Sequence, residues 1–128
     1  MDASSVNHIR STLAFAIREN IRLVVKSTGH DLLGRLDGYG SIELWLHNFR
    51  NGIDFQHTYA ATNRCLKSGW KDSAIKINGA YQFVDVYAVA KRNNVIVVGG
   101  GAPSIGAVGG WHIGGGKLSA FRLKWDIL

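Results

Sequence analysis

Val6, Ile9, Leu13 and Ala16/Ile17 recur at helical spacing behind Ser4 and Ser5, which predicts an amphipathic helix from about Ser5 to Glu19. Either serine can cap its start, and Asn20 supplies its stop. The period then changes. Ile21 to Val25 is rich in β-branched residues and reads as a strand, and Ser41 to Leu46 alternates like a half-buried strand. Gly52 to Tyr59 reads as another strand, and Ala74 to Gly79 as a short one that ends in a turn. Helical spacing returns from Gln82 to Arg92 through Phe83, Val86/Tyr87 and Ala90. Asn93-Asn94 ends that helix, and Val95 to Val98 reads as a buried strand that runs directly into glycine.

The pattern contains an echo. Ala16 to Val25 leads into Ser27-Thr28-Gly29, and Ala90 to Val98 leads into Gly99-Gly100-Gly101. Each unit is a helix, an asparagine stop, an apolar strand and a loop of small residues. Two neighbouring strands of one sheet that end in such loops can hold one ligand between them. The alternative is that two αβ units share a common local grammar.

Composition narrows the class. A chain of 128 residues, 46% hydrophobic and 19% charged, fits one globular domain. No apolar run approaches the roughly 18 residues of a membrane span. The start Met1-Asp2-Ala3-Ser4-Ser5 has no basic region followed by an apolar one, so no secretory signal is expected in this chain. Cys65 is the lone cysteine, which excludes an internal disulfide and a multi-cysteine metal site. The formal charge of +6 suits a phosphate-bearing ligand, but the positive residues are scattered, which argues against nucleic acid. More than half of the glycines lie between Gly99 and Gly116.

That glycine-rich stretch follows the expected strand and invites a dinucleotide-binding reading, which fails on inspection. Ser104 stands where the third glycine belongs, Pro103 removes an amide, and no acidic residue follows until Asp126. A P-loop fails as well, because no Gly-Lys-Ser/Thr is present there. What remains is a longer loop whose amides can turn toward an anion, or else a plain glycine-rich crossover. The second candidate is Lys26-Ser27-Thr28-Gly29-His30-Asp31. Small residues ahead of a histidine let amides face a phosphate and place an imidazole beside a ring system. An unprotonated imidazole nitrogen can bond covalently to a cofactor, although a loop histidine is more often a hydrogen-bonded surface residue. The remaining histidines, His8, His47, His57 and His112, show no metal-ligand spacing.

The run Asn20 to Asp31, with Gly34-Arg35 and Trp45-Leu46-His47-Asn48 behind it, resembles the FAD-linked oxidoreductases of the berberine-bridge-enzyme-like group. That group lies within the vanillyl-alcohol-oxidase/PCMH-type FAD-binding superfamily. The resemblance continues in order through Gly52-Ile53-Asp54-Phe55, Ser68-Gly69-Trp70, Ala74 to Ile77, Asp85-Val86-Tyr87 and Val97 to Gly100. It ends on Ser104-Ile105-Gly106 and Gly109 to Gly116.

The resemblance implies an α+β fold, part of a PCMH-type FAD-binding domain with a mixed sheet packed with helices, over residues 1–128. It implies FAD as cofactor, attached covalently through His30 to the flavin 8α-methyl group. Ser27, Thr28, Gly29 and Asp31 match the family's first pyrophosphate loop. Gly101, Ser104, Ile105, Gly106, Gly110 and Gly114 match the second, with Ile113 near the adenosine or ring-facing backbone. Ala102 stands where bicovalent members carry a cysteine, so a second flavin bond is not expected. The implied activity is hydride transfer from a small-molecule substrate to FAD, with reoxidation by oxygen. Family members are several times longer, often secreted, and carry a substrate domain that has no counterpart here. The chain is therefore expected to be a truncated piece, and a remnant with no productive FAD binding is the alternative. Phe121, Trp125, Ile127 and Leu128 are expected to leave an exposed apolar surface.

Overall fold

A computed structural model describes residues 1–59 and 71–114. Cys65, Ser68-Gly69-Trp70, Gly115, Gly116 and the stretch from Lys117 to Leu128, with its apolar Phe121, Trp125, Ile127 and Leu128, lie outside the described residues.

The first apolar stripe forms helix α1, Val6–Arg18. Ser5 caps it by accepting the amide of His8 at 3.2 Å, which satisfies one of the donors a helix start leaves over. The helix packs against strands β1, Arg22–Lys26, and β2, Ser41–Trp45, through Thr12 and Ala16, while Val6, Leu13 and Ile17 of the expected stripe stay exposed, a correction to the face read from the spacing. The two strands pair in parallel, with Arg22 opposite Ser41 and Lys26 opposite Trp45. Residues ahead of α1 also join this sheet, which the helical pattern gave no reason to expect. Asp2 bridges Trp45 in parallel, and the Met1 ammonium donates to the Glu43 carbonyl at 2.8 Å.

Strands β3, Asp54–Gln56, and β4, Ala74–Lys76, form a second, antiparallel pair. Helix α2, Phe83–Arg92, follows, with the Gln82 amide donating to the Asp85 carboxylate at 2.9 Å. The fold is thus α+β, with strands of both senses. Among the described residues these strands form two separate pairs, one parallel and one antiparallel.

Both helices end in the same device. Asn20 and Asn94 adopt the left-handed conformation, at φ 50° and 53°. The amides behind them reach back five residues, Ile21 to the Ala16 carbonyl at 2.8 Å and Val95 to the Ala90 carbonyl at 3.0 Å. This is the Schellman arrangement, which satisfies carbonyls that a helix end leaves without partners. The sequence echo is therefore physical at the helix ends. It breaks down afterwards, because Val95 to Val98 is not a buried strand. Ile96 is 81% exposed and Val98 61%, while Val95 and Val97 are half-buried, and no described strand pairs with them. The expected pair of neighbouring strands in one sheet is corrected accordingly.

The core is small and sits beneath α2. Phe83, Val86 and Ala107 are buried together, with Ile75, Ile77, Tyr87, Val97, Ile105 and Trp111 packed against them. Phe83 stacks on Tyr87 with ring centroids 5.4 Å apart and meets Trp111 edge-on at 5.1 Å. Gly99 passes so close to this cluster that a Cβ there would lie 2.2 Å from the Phe83 ring. Only glycine fits that approach.

Candidate functional site

The β1–β2 pairing is parallel, so the chain must cross over between Lys26 and Ser41, and the first candidate loop begins this crossover. Lys26 closes the strand and directs its ammonium to the Glu43 carboxylate at 3.2 Å. The Ser27 hydroxyl donates to the Gly79 carbonyl at 2.7 Å and so ties the loop to the turn between β4 and α2. Gly29 takes φ +91°, a conformation that a side chain would strain. Asp31 then fixes the far end. Its carboxylate accepts the Arg35 amide at 2.6 Å and Nε at 2.9 Å, with a further short contact to the guanidinium. Hydrogen bonding to Arg35 holds the Asp31 carboxyl below the usual carboxylate range and raises Arg35 in return.

The second loop is placed by the start of α2. The amides of Phe83 and Val84, which the helix cannot satisfy internally, donate to the carbonyls of Ile105 at 3.0 Å and Pro103 at 2.8 Å. The Ala107 amide donates to the Tyr81 carbonyl at 3.0 Å, so Gln82 and Gly106 pair as an antiparallel bridge. The glycines that follow do not run as an open crossover. Ala107–His112 forms a single π-helical turn, a rare form often found at functional sites.

The two loops meet. His30 Nε2 and Ser104 Oγ, separated by 74 positions in the chain, lie 2.8 Å apart. A Cβ on Gly106 would lie 2.7 Å from Ser27 Oγ, and one on Gly109 would lie 3.1 Å from Ser27 Cβ. Between the loops lies a cavity of about 620 Å³, within the range of ligand sites. Ser27, Thr28, Gly29, His30 and Asp31 line one wall, and Ile105, Gly106, Gly110, Ile113 and Gly114 line the other. Ser104 stands at the edge, on His30. Gly101 does not line the cavity and has open space around it. Gly109, one of the glycines of the longer loop, lines it as well, whereas Leu32, Arg35, Leu36 and Trp111 were not expected as parts of this wall. The spacing of Asp31 and Arg35 was a readable signal for one of them, whereas nothing local marks Trp111.

A larger cleft of about 850 Å³ lies between β4 and Val95 to Val98. It is lined chiefly by apolar side chains such as Phe55, Ile75, Ile77 and Val97, and holds none of the sequence-predicted residues. The smaller cavity is the chemical one, because the imidazole and the glycine backbone converge there. No hydrogen bond within the described residues engages the amides of Thr28, Gly29 or Gly106. Amides left open at glycine-rich backbone suit an anionic group, so the cavity fits a diphosphate-bearing cofactor. No cluster of metal-ligating side chains occurs among the described residues, and no described helix is long and apolar enough to cross a membrane.

No protein-family model matches the chain. The FAD-linked oxidoreductase hmp9 of Hypomyces subiculosus is 55% identical over 122 residues, covering 95% of this chain and 19% of its own length. The VAO-type flavoprotein oxidase VAO615 of Thermothelomyces thermophilus is 36% identical over 129 residues, covering 94% of this chain and 21% of its own. The crystal structure of the VAO-type flavoprotein MtVAO713 from Myceliophthora thermophila C1 superposes with a TM-score of 0.80 at 65% identity, over 85% of this chain and 19% of that one. The chain thus spans about a fifth of the length of the relatives it matches. Over that fifth, the chain is similar in sequence and in α+β fold to FAD-linked oxidoreductases and VAO-type flavoproteins.

Proposed function

We propose that the cavity between the two loops binds FAD, and that the chain is the flavin-gripping part of a flavin-dependent oxidoreductase of the berberine-bridge-enzyme-like group. The observation that carries this reading is the meeting of the loops, with His30 against Ser104 across a glycine-lined cavity. The unengaged amides of Thr28, Gly29 and Gly106 serve the diphosphate, and the net charge of +6 favours its approach. The Ser27 hydroxyl, already committed to Gly79, shapes the wall rather than meeting the phosphate. Bound FAD supplies hydride acceptance from a small-molecule substrate, with oxygen as the later acceptor.

His30 is the covalent anchor in this reading. Attachment joins a ring nitrogen to the flavin 8α-methyl carbon. The bond would release one hydrogen from that carbon and one from the imidazole, and dioxygen would take up both, with two electrons, as hydrogen peroxide. Ala102, with no thiol, offers no second bond.

The test is colour. Purified chain incubated with FAD should acquire flavin absorbance that survives acid precipitation, and His30→Ala should lose the acid-stable portion. Colourless protein with no thermal shift on added FAD overturns the reading in favour of a remnant that no longer binds the cofactor.

A further inference from the structure

We propose that Ser104 is a positioning residue for His30. Its hydroxyl accepts the Nε2 proton, fixes the ring and leaves the lone pair on Nδ1 toward the ligand. The proposal rests on the FAD reading of the cavity for its consequence, but the hydrogen bond itself can be tested without FAD.

The geometry is a 2.8 Å contact between a loop imidazole and a hydroxyl. Among the described residues no hydrogen bond engages Nδ1, so Ser104 alone decides which nitrogen is free. Both side chains are exposed, and an exposed neutral hydrogen bond ordinarily fixes little. Here the backbone fixes the partners first. Pro103 and Ile105, on either side of Ser104, give their carbonyls to the first amides of α2, and the Ile105 amide returns to the Ala102 carbonyl at 3.2 Å. His30 sits between Gly29, in its left-handed conformation, and Asp31, clamped by Arg35. Two short side chains on backbones restrained at both flanks lose little further entropy when they pair.

A hydroxyl suits this place better than a carboxylate. It can accept from Nε2–H while Nδ1 is the unprotonated nucleophile, then rotate and donate to Nε2 once that proton has left. A carboxylate could only accept, and it would favour the doubly protonated ring that has no free lone pair. Ser104 is neutral in both states. The proposal differs from the role that the resemblance gives this residue, which concerns the diphosphate.

The experiment compares wild type, Ser104→Ala and Ser104→Thr. Nitrogen-15 spectra of the imidazoles without FAD, at a pH where His30 is neutral, should show Nε2–H as the dominant form in wild type and in Ser104→Thr. In Ser104→Ala the two tautomers should mix. Spectra that do not change on Ser104→Ala overturn the proposal. With FAD, the acid-stable share of whatever flavin Ser104→Ala binds should fall by about tenfold to a hundredfold, as expected for a misplaced reactive group. Ser104→Thr should restore it. Full attachment in Ser104→Ala overturns the positioning role. If the wild type takes up no FAD, the cofactor reading fails, and the nitrogen spectra alone decide the role of Ser104.

Discussion

Ser27 and Gly106 occupy space that no additional atom can share. The Ser27 hydroxyl is held on the Gly79 carbonyl at 2.7 Å, and a Cβ on Gly106 would lie at that same distance from it. Because the hydrogen bond holds the hydroxyl in place, Ser27 cannot swing aside at low cost. Gly106→Ala should therefore destabilise the chain by about 1–3 kcal/mol, the usual range for overpacking. Ser27→Ala removes the obstructing oxygen, so the double variant should recover part of the loss. Denaturant midpoints in a double-mutant cycle measure this coupling, and strict additivity would contradict it.

The pairing of Asp31 with Arg35 sets an acid limit on the first loop. The Asp31 carboxyl titrates lower in the folded chain than in the unfolded one. Its contribution is therefore present above the ordinary carboxylate range and is lost as pH falls through the folded value, below about pH 4. Asp31→Asn should melt lower than wild type at pH 7, and the two melting curves should draw together as the pH falls below the ordinary carboxylate range. A difference that persists at low pH would mean that the carboxylate acts through packing instead.

Asn20 and Asn94 carry the left-handed turn that ends each helix. Glycine tolerates that conformation, so Asn20→Gly and Asn94→Gly should lie near wild type in stability. Alanine has no polar group to favour it locally, and each Asn→Ala should cost about 1 kcal/mol. Thermal unfolding of the four variants separates the two classes.

Phe83 joins the core to the second loop. It is 3% exposed and touches Tyr87, Trp111 and the path of Gly99 and Gly100. Phe83→Ala should cost about 3–5 kcal/mol, as for other buried aromatic truncations. Under the proposed function it should also weaken FAD binding, because the π-helical turn carrying Trp111 loses its support. Unfolding midpoints with and without FAD report the two effects.

What the sequence made legible follows from the range of each signal. α1 and α2 were readable to within a residue or so because apolar period, serine cap and asparagine stop are all local. The loop residues Ser27 to Asp31 and Ile105 to Gly114 were readable as backbone that approaches something, since glycine and small side chains mark such stretches. Val95 to Val98 failed for the opposite reason. Four consecutive apolar residues describe a strand's own preference but not its partner, and here no described strand supplies one. The places of Leu32 and Leu36 along the cavity and the pairing of Met1–Ala3 with β2 depend on contacts distant in sequence, which no periodicity encodes.

The crossover between the parallel strands β1 and β2 divides into two stretches with different freedom. Ser27 to Asp31 is bound to other parts of the chain at Gly79, Ser104 and Arg35. Leu32 and Tyr39, by contrast, are almost wholly exposed, and Gly34 and Gly40 have open space around them. Strand register is set by the paired residues and not by what lies between Gly34 and Gly40. At Leu32, Leu33 and Tyr39 the side chain is thus open to exchange, by natural drift or by loop grafting, provided that Arg35 keeps its hold on Asp31. Such changes would rebuild the rim of the cavity while the histidine kept its station.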